Sequence, residues 1–297
     1  MKLTGIFPPL TTPFAPDGSL ALDRLRDNIA KYNRTSLAGY VLNGSTGESV
    51  LLSWSEVERV WAVAREAASQ ERVLIAGTGA ESTSETIEQT NRAAKLGYQA
   101  ALVRTPSYFK PQMTAETLAE HFLRVADAAL IPILLYSVPV YTVVAMEASL
   151  VARLGQHQNI VGIKESSGNV QRVSEIIAAA PAGFQTLVGS AATLYPSLVM
   201  GAAGGILALA CALPDMCVEL YEAVQAGAHE RARTLQQQLL APASILVSKY
   251  GVAGLKYVLD RLDYYGGPPR GPLLAADESA RHEIDAVLAT IAAAAAS

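Results

Sequence analysis

Short apolar, β-branched runs recur along the chain, and each gives way to a polar turn and then to a segment with helical spacing. Eight such runs stand out, at 5–10, 37–42, 73–76, 100–103, 131–136, 160–164, 185–188 and 205–209. Brief apolar runs bounded by turn signals read as strands buried on both faces. The segments between them carry helix boundaries. Ser53 stands three positions before Glu56, a capping-box spacing that predicts a helix over 54–69. Ser82 and Glu85 repeat the signal, and that helix stops at Gly97. Residues 146–154 end at Gly155 in the same manner. Strand-then-helix alternation builds parallel βαβ units, and eight in succession predict an α/β protein, a (β/α)8 TIM barrel. A doubly wound sheet would want a glycine-rich phosphate turn after the first strand, and the run from Pro8 to Phe14 is not one.

The strand rhythm ends near residue 212. Residues 214–226, 229–240, 253–262 and 277 to the alanine-rich tail all read as helical. The predicted division is a barrel carrying the active site over 1–226 and a helical extension over 227–297, packed on the barrel without a low-complexity linker.

Composition narrows the function classes. The chain has 297 residues, 51% hydrophobic and 17% charged, enough for one large core. Its net charge is −4 with no basic stripe, which argues against nucleic acid or an anionic membrane as a partner. Two cysteines, Cys211 and Cys217, make no disulfide framework, and four scattered histidines add no metal-ligand spacing, so no metal is expected. The uncharged stretches at 128–146 and 176–216, the second interrupted only by Asp215, are punctuated by Pro, Gly, Ser and Thr. They read as buried strands and turns, not spanning helices. The N-terminal apolar run is short and broken by Pro8 and Pro9, unlike a signal peptide. A soluble, cytoplasmic protein is the expectation.

In such a barrel, reactive side chains sit where strands end and loops begin. Lys164 closes the sixth run, just before Ser166-Ser167-Gly168. An amine held away from water gives up its proton more readily and attacks carbonyls. The plain alternative is a lysine that snorkels outward or pairs with Glu165. Tyr136 closes the fifth run, where a phenol can shuttle protons or simply fill the core. The loop Gly44-Ser45-Thr46-Gly47-Glu48-Ser49 follows the second run. Its N–H groups suit a carboxylate, though an ordinary glycine turn would look alike. Tyr108 lies in the loop after the fourth run, beside Phe109, where surface packing is the plain reading. Small residues at Gly189, Ser190 and Gly205 leave room for a ligand.

Singly these signals are modest; in this order and spacing they are specific. The chain resembles the pyruvate-dependent lyases of the dihydrodipicolinate synthase and N-acetylneuraminate lyase superfamily. The resemblance runs from GIFPPLTTPF to YYGGPPRGPL, through the G-S-T-G-E loop, the Y-S-V-P strand end and the G-I-K-E-S strand end. It implies a cofactor-free barrel, assembled as a homotetramer (a dimer of dimers), with a Schiff-base lysine at Lys164. It also implies a proton-relay tyrosine at Tyr136 and the relay hydroxyl at Ser45. Thr46 and Gly47 would help hold the pyruvate carboxylate, Ile206 would lie beside the bound pyruvate, and Tyr108 would reach a neighbouring subunit's site.

Departures from the pattern bear on the substrate. Dihydrodipicolinate synthases carry an arginine where this chain has Tyr141, and a phenol cannot form the bidentate ion pair that arginine gives a carboxylate. The runs AGTGAEST, GQHQNIVG, VGSA, GLK and YYGGP are most similar to the 4-hydroxy-2-oxoglutarate aldolases. That likeness implies cleavage of 4-hydroxy-2-oxoglutarate to pyruvate and glyoxylate, with Ser166 and Gly189 near the substrate and Tyr141 at its distal end. Thr46 and Tyr141 stand where those aldolases carry asparagines. Other readings are an aldolase or dehydratase for another 2-keto-3-deoxy acid, dihydrodipicolinate synthesis, and a non-catalytic barrel that senses keto acids.

Overall fold

The computed structural model describes residues 2–296. Eight strands form one parallel sheet: β1 (Gly5–Phe7), β2 (Gly39–Leu42), β3 (Val73–Gly77), β4 (Ala100–Arg104), β5 (Ile133–Ser137), β6 (Ile160–Glu165), β7 (Gln185–Val188) and β8 (Gly204–Ile206). Their order is β1-β8-β7-β6-β5-β4-β3-β2. A parallel bridge between Pro9 and Val41 joins the two ends, with Leu10 N–H donating to the Val41 carbonyl at 2.9 Å. The sheet therefore closes, and the expected (β/α)8 barrel is the fold.

The strand boundaries have backbone causes. β1 stops at Phe7, short of the expected residue 10, because Pro8 and Pro9 have no N–H to continue a ladder. β5 begins at Ile133, just after Pro132. β8 ends at Ile206, where the chain tightens into a 3-10 turn over Ala208–Cys211.

Alternation sorts the side chains. Phe7, Val41, Ile75, Leu102, Leu134, Leu187 and Ile206 fill the barrel interior. Ala101, Val103, Ile133, Leu135 and Ile163 face outward onto the helices. The helix Trp54–Ala67 starts with the complete capping box of Ser53 and Glu56. The helix Thr83–Lys95 keeps the Ser82 cap, but Glu85 instead accepts from Gln89 at 3.0 Å, so the box is half formed.

Past Pro214–Gln225 the chain is helical: His229–Pro242, Gly251–Arg261 and Glu278–Ala296. Residues Ala243–Lys249 join the first two as a wide π turn beginning next to Pro242, which cannot donate to the helical ladder. Leu235, Leu239, Leu246, Leu255, Leu259 and Ile284 of this extension merge into the main core cluster. Among the described residues no helix is long and apolar enough to cross a membrane.

Candidate active site

Three inward-facing positions lie side by side at the C-terminal mouth of the barrel. The register places Arg104 of β4 opposite Tyr136 of β5, and Tyr136 opposite Lys164 of β6. Gly162 and Lys164 share the inward parity of Leu134 and Tyr136, so the amine points into the barrel while Glu165 points away. Lys164 is 4% exposed, and its Nζ sits 4.3 Å from the centre of the Tyr136 ring. Lys164 thus neither snorkels nor pairs with Glu165. That carboxylate accepts from the N–H and hydroxyl of Ser167 and approaches Arg172 at 3.8 Å. Burial raises the Glu165 pKa, with Ser167 opposing the shift.

The hydroxyl of Ser45 is 3.4 Å from the Tyr136 phenol. Ser45 opens a 3-10 turn over Ser45–Gly47 at the end of β2. A cavity of about 290 Å³ is bounded by Ser45, Thr46, Tyr136, Lys164, Ser166 and Ile206, with Gly189 and Tyr141 at its rim. Most of the expected site residues are therefore gathered around one amine.

Two of them are not. Gly47 lines no part of this space. Its N–H is used within the turn by the Gly44 carbonyl at 3.0 Å, and its carbonyl accepts from the Thr12 hydroxyl at 2.7 Å. Gly47 shapes the loop from outside the cavity lining. Tyr108 is 77% exposed, packs edge-on against Phe109 at 5.0 Å and stays outside the cavity of its own chain.

Gly189 needs a different explanation from the one its size suggested. A Cβ placed there would lie 1.8 Å from the Ser166 Oγ. Ser166 fills the space where a Gly189 side chain would stand, and Gly189 itself lines the cavity. The Ser166 hydroxyl is itself buried without a hydrogen-bond partner, while its N–H is anchored on the Ser137 carbonyl at 3.0 Å. A buried unpartnered hydroxyl beside Lys164 is suited to a substrate oxygen.

A model of the dihydrodipicolinate synthetase family matches residues 2–291. The chain belongs to that family. A 4-hydroxy-tetrahydrodipicolinate synthase of Exiguobacterium sp. is 36% identical over 271 residues, covering 91% of this chain and 92% of that one. The enzyme of the same name from Rhizobium meliloti is 37% identical over 286 residues, covering 96% and 97%. Among solved structures, dihydrodipicolinate synthase from Aquifex aeolicus superposes with a TM-score of 0.93 at 30% identity, covering 97% of this chain and 98% of its own.

Two features of this family member escaped the sequence reading. The first locks the Ser45 loop from behind. Glu48, in the left-handed region at φ 56°, places Oε1 2.6 Å from Lys256 Nζ, with both side chains 1% exposed. Lys256 also donates to the carbonyls of Thr12 at 2.8 Å and Pro268 at 2.9 Å. Burial pulls the Lys256 pKa down, and the Glu48 charge opposes it. Arg270 N–H donates to the other Glu48 oxygen at 2.8 Å, while its guanidinium grips Glu56 and the carbonyls of Leu51 and Gly18. The GLK run was visible as family resemblance, but the pairing of its Lys256 with Glu48 spans most of the chain and leaves no local signal. The second feature is Arg104, whose inward parity follows from its place two residues after Leu102.

Proposed function

We propose that this chain is a Schiff-base, pyruvate-dependent aldolase that cleaves 4-hydroxy-2-oxoglutarate to pyruvate and glyoxylate. The observation that carries it is the buried Lys164 amine beside the Tyr136 ring, with Ser45 next to the phenol. Lys164 adds to the C2 carbonyl, and loss of water leaves a protonated imine. Tyr136 takes the proton of the C4 hydroxyl and passes its own toward Ser45. The C3–C4 bond breaks, its electron pair flows into the iminium, and glyoxylate leaves. The enamine is reprotonated at C3, and water releases pyruvate and free Lys164. The iminium provides the electron sink. Thr46 holds the pyruvate carboxylate, Ser166 offers its unpartnered hydroxyl, and Ile206 forms the apolar wall. Tyr108 completes the relay from a second copy in a homotetramer, because it lies outside its own chain's cavity.

A second reading runs the same enamine in the bond-forming direction, onto aspartate 4-semialdehyde. The relatives named as 4-hydroxy-tetrahydrodipicolinate synthases favour it. Tyr141, where that activity would call for a cation, weighs against it.

The test is trapping. Incubation with pyruvate and borohydride, followed by peptide mass spectrometry, should give a reduced pyruvyl adduct on Lys164 alone. Folded protein without that adduct sinks the aldolase reading and leaves a keto-acid-binding barrel. Pyruvate release from 4-hydroxy-2-oxoglutarate, set against pyruvate consumption with aspartate semialdehyde, then separates the two directions. A panel of 2-keto-3-deoxy acids tests longer substrates.

A further inference from the structure

A second, larger cavity of about 950 Å³ opens beside the Lys164 cavity. The two share Ser45, Tyr136, Val138 and Tyr141 as a common wall. Lys164 Nζ lies 4.3 Å from the centre of the Tyr136 ring, which belongs to the wall between the two cavities. A substrate held at C2 on Lys164 and extended past Tyr136 therefore leaves the small cavity and enters the large one.

Arg104 waits on that path. It is the next inward-facing position beyond Tyr136, and neighbouring strands are about 4.8 Å apart. It is the only cation lining the larger cavity among the described residues, and its side chain is 18% exposed. The close approach of Gly79 makes room for it: a Cβ there would lie 2.7 Å from the Arg104 Cγ. Arg104 Nη1 donates to Glu81 Oε1 at 2.8 Å and to the Thr105 carbonyl at 3.2 Å. Nε and Nη2 have no hydrogen-bond partner among the described residues.

Glu81 does not cancel this site. Burial would raise its pKa, but the N–H groups of Tyr108 and Ser107, with Arg104, outweigh that and hold it below the ordinary carboxylate value. Its Oε2 accepts from Ser107 N–H at 2.8 Å and Tyr108 N–H at 2.9 Å. Glu81 thus orients the guanidinium from one edge and leaves the opposite edge for a second carboxylate. A planar fork with free donors is the group that binds a carboxylate in two places.

We propose that Arg104 is the specificity-determining cation of this site, seating the distal carboxylate of the aldehyde half, so that the chain selects dicarboxylic 2-oxo acids. The assignment rests on the imine reading of Lys164 and adds to it the substrate class.

The experiment compares kcat/KM for 4-hydroxy-2-oxoglutarate with that for 4-hydroxy-2-oxopentanoate, in which a methyl group replaces the distal carboxylate. Wild-type protein, Arg104→Gln and Arg104→Lys are assayed, and each is also trapped with pyruvate and borohydride. In Arg104→Gln the ratio of the two should fall about ten- to a hundredfold, carried mainly by KM, as expected for losing a charge-assisted contact. Arg104→Lys should recover part of the ratio and provides the reading if the Gln variant does not fold. An equal fall for both substrates, or no fall, overturns the assignment. So does a wild-type protein that traps pyruvate yet prefers the methyl substrate. Absence of a wild-type adduct is a separate failure, that of the aldolase reading itself.

Discussion

Lys256 Nζ and Glu48 Oε1 lie 2.6 Å apart with neither side chain reaching solvent. The ammonium donates to the carbonyls of Thr12 and Pro268 and pairs in charge with the Glu48 carboxylate. The pair joins the loop carrying Ser45 to the helical extension. Taking one partner away strands a buried charge, which costs roughly 3–5 kcal/mol. Lys256→Met should therefore lower the unfolding free energy by that order in a urea titration. Adding Glu48→Gln to the same chain should cost less than the sum of the two single changes. Strict additivity would mean that the two groups do not depend on each other.

Tyr136 and Ser45 make a different prediction because they act on protons. Tyr136→Phe keeps the ring under the Lys164 amine and removes only the hydroxyl. Turnover should fall about 10²–10⁴-fold, the range for losing a positioned proton-transfer group. The pyruvyl adduct on Lys164 should still form, more slowly. Ser45→Ala should reduce turnover less, since the phenol remains. A Tyr136→Phe protein with unchanged kcat would remove the relay from the mechanism.

Gly189 and Ser166 compete for one volume. Gly189→Ala forces a methyl to within 1.8 Å of the Ser166 hydroxyl, so Ser166 must swing away or the β7 turn must move. Overpacking of this kind costs about 1–3 kcal/mol. KM for the keto acid should rise as the hydroxyl is displaced. Ser166→Gly in the same chain should restore much of the stability without restoring KM. Thermal denaturation and initial rates read the two effects separately.

Glu56 reports on its ion pair with Arg270 in a pH titration. Its hydrogen bonds with Arg270 lead the causes that lower its pKa from 4.5 to about 2, with Ser53 adding to them against burial. A carboxylate whose folded-state pKa is depressed binds protons more readily when unfolded. Its contribution is thus fully present above about pH 4.5 and disappears as pH falls toward about 2. Melting temperature should fall across that window, and Glu56→Gln should flatten the slope there. An identical slope in the variant would show that the Glu56 charge adds nothing to stability in this window.

The eight strands and most helices were legible because their signals are local. A buried parallel strand must be apolar, and a helix start must satisfy its first N–H groups, as Ser53 and Glu56 do. The same locality put Lys164, Tyr136 and Ser45 at strand ends, where a barrel exposes reactive groups. Only closure of the sheet decided what lies next to what. Hydrogen-bond register brought Arg104, Tyr136 and Lys164 into one row from three separate strands. It also handed the space beside Gly189 to Ser166, turned Gly47 away from the cavity and left Tyr108 outside it. The return of the extension brought Lys256 onto Glu48. These neighbours are far apart in the chain, so their contacts depend on how strands pair and where helices dock, which no short window of residues encodes.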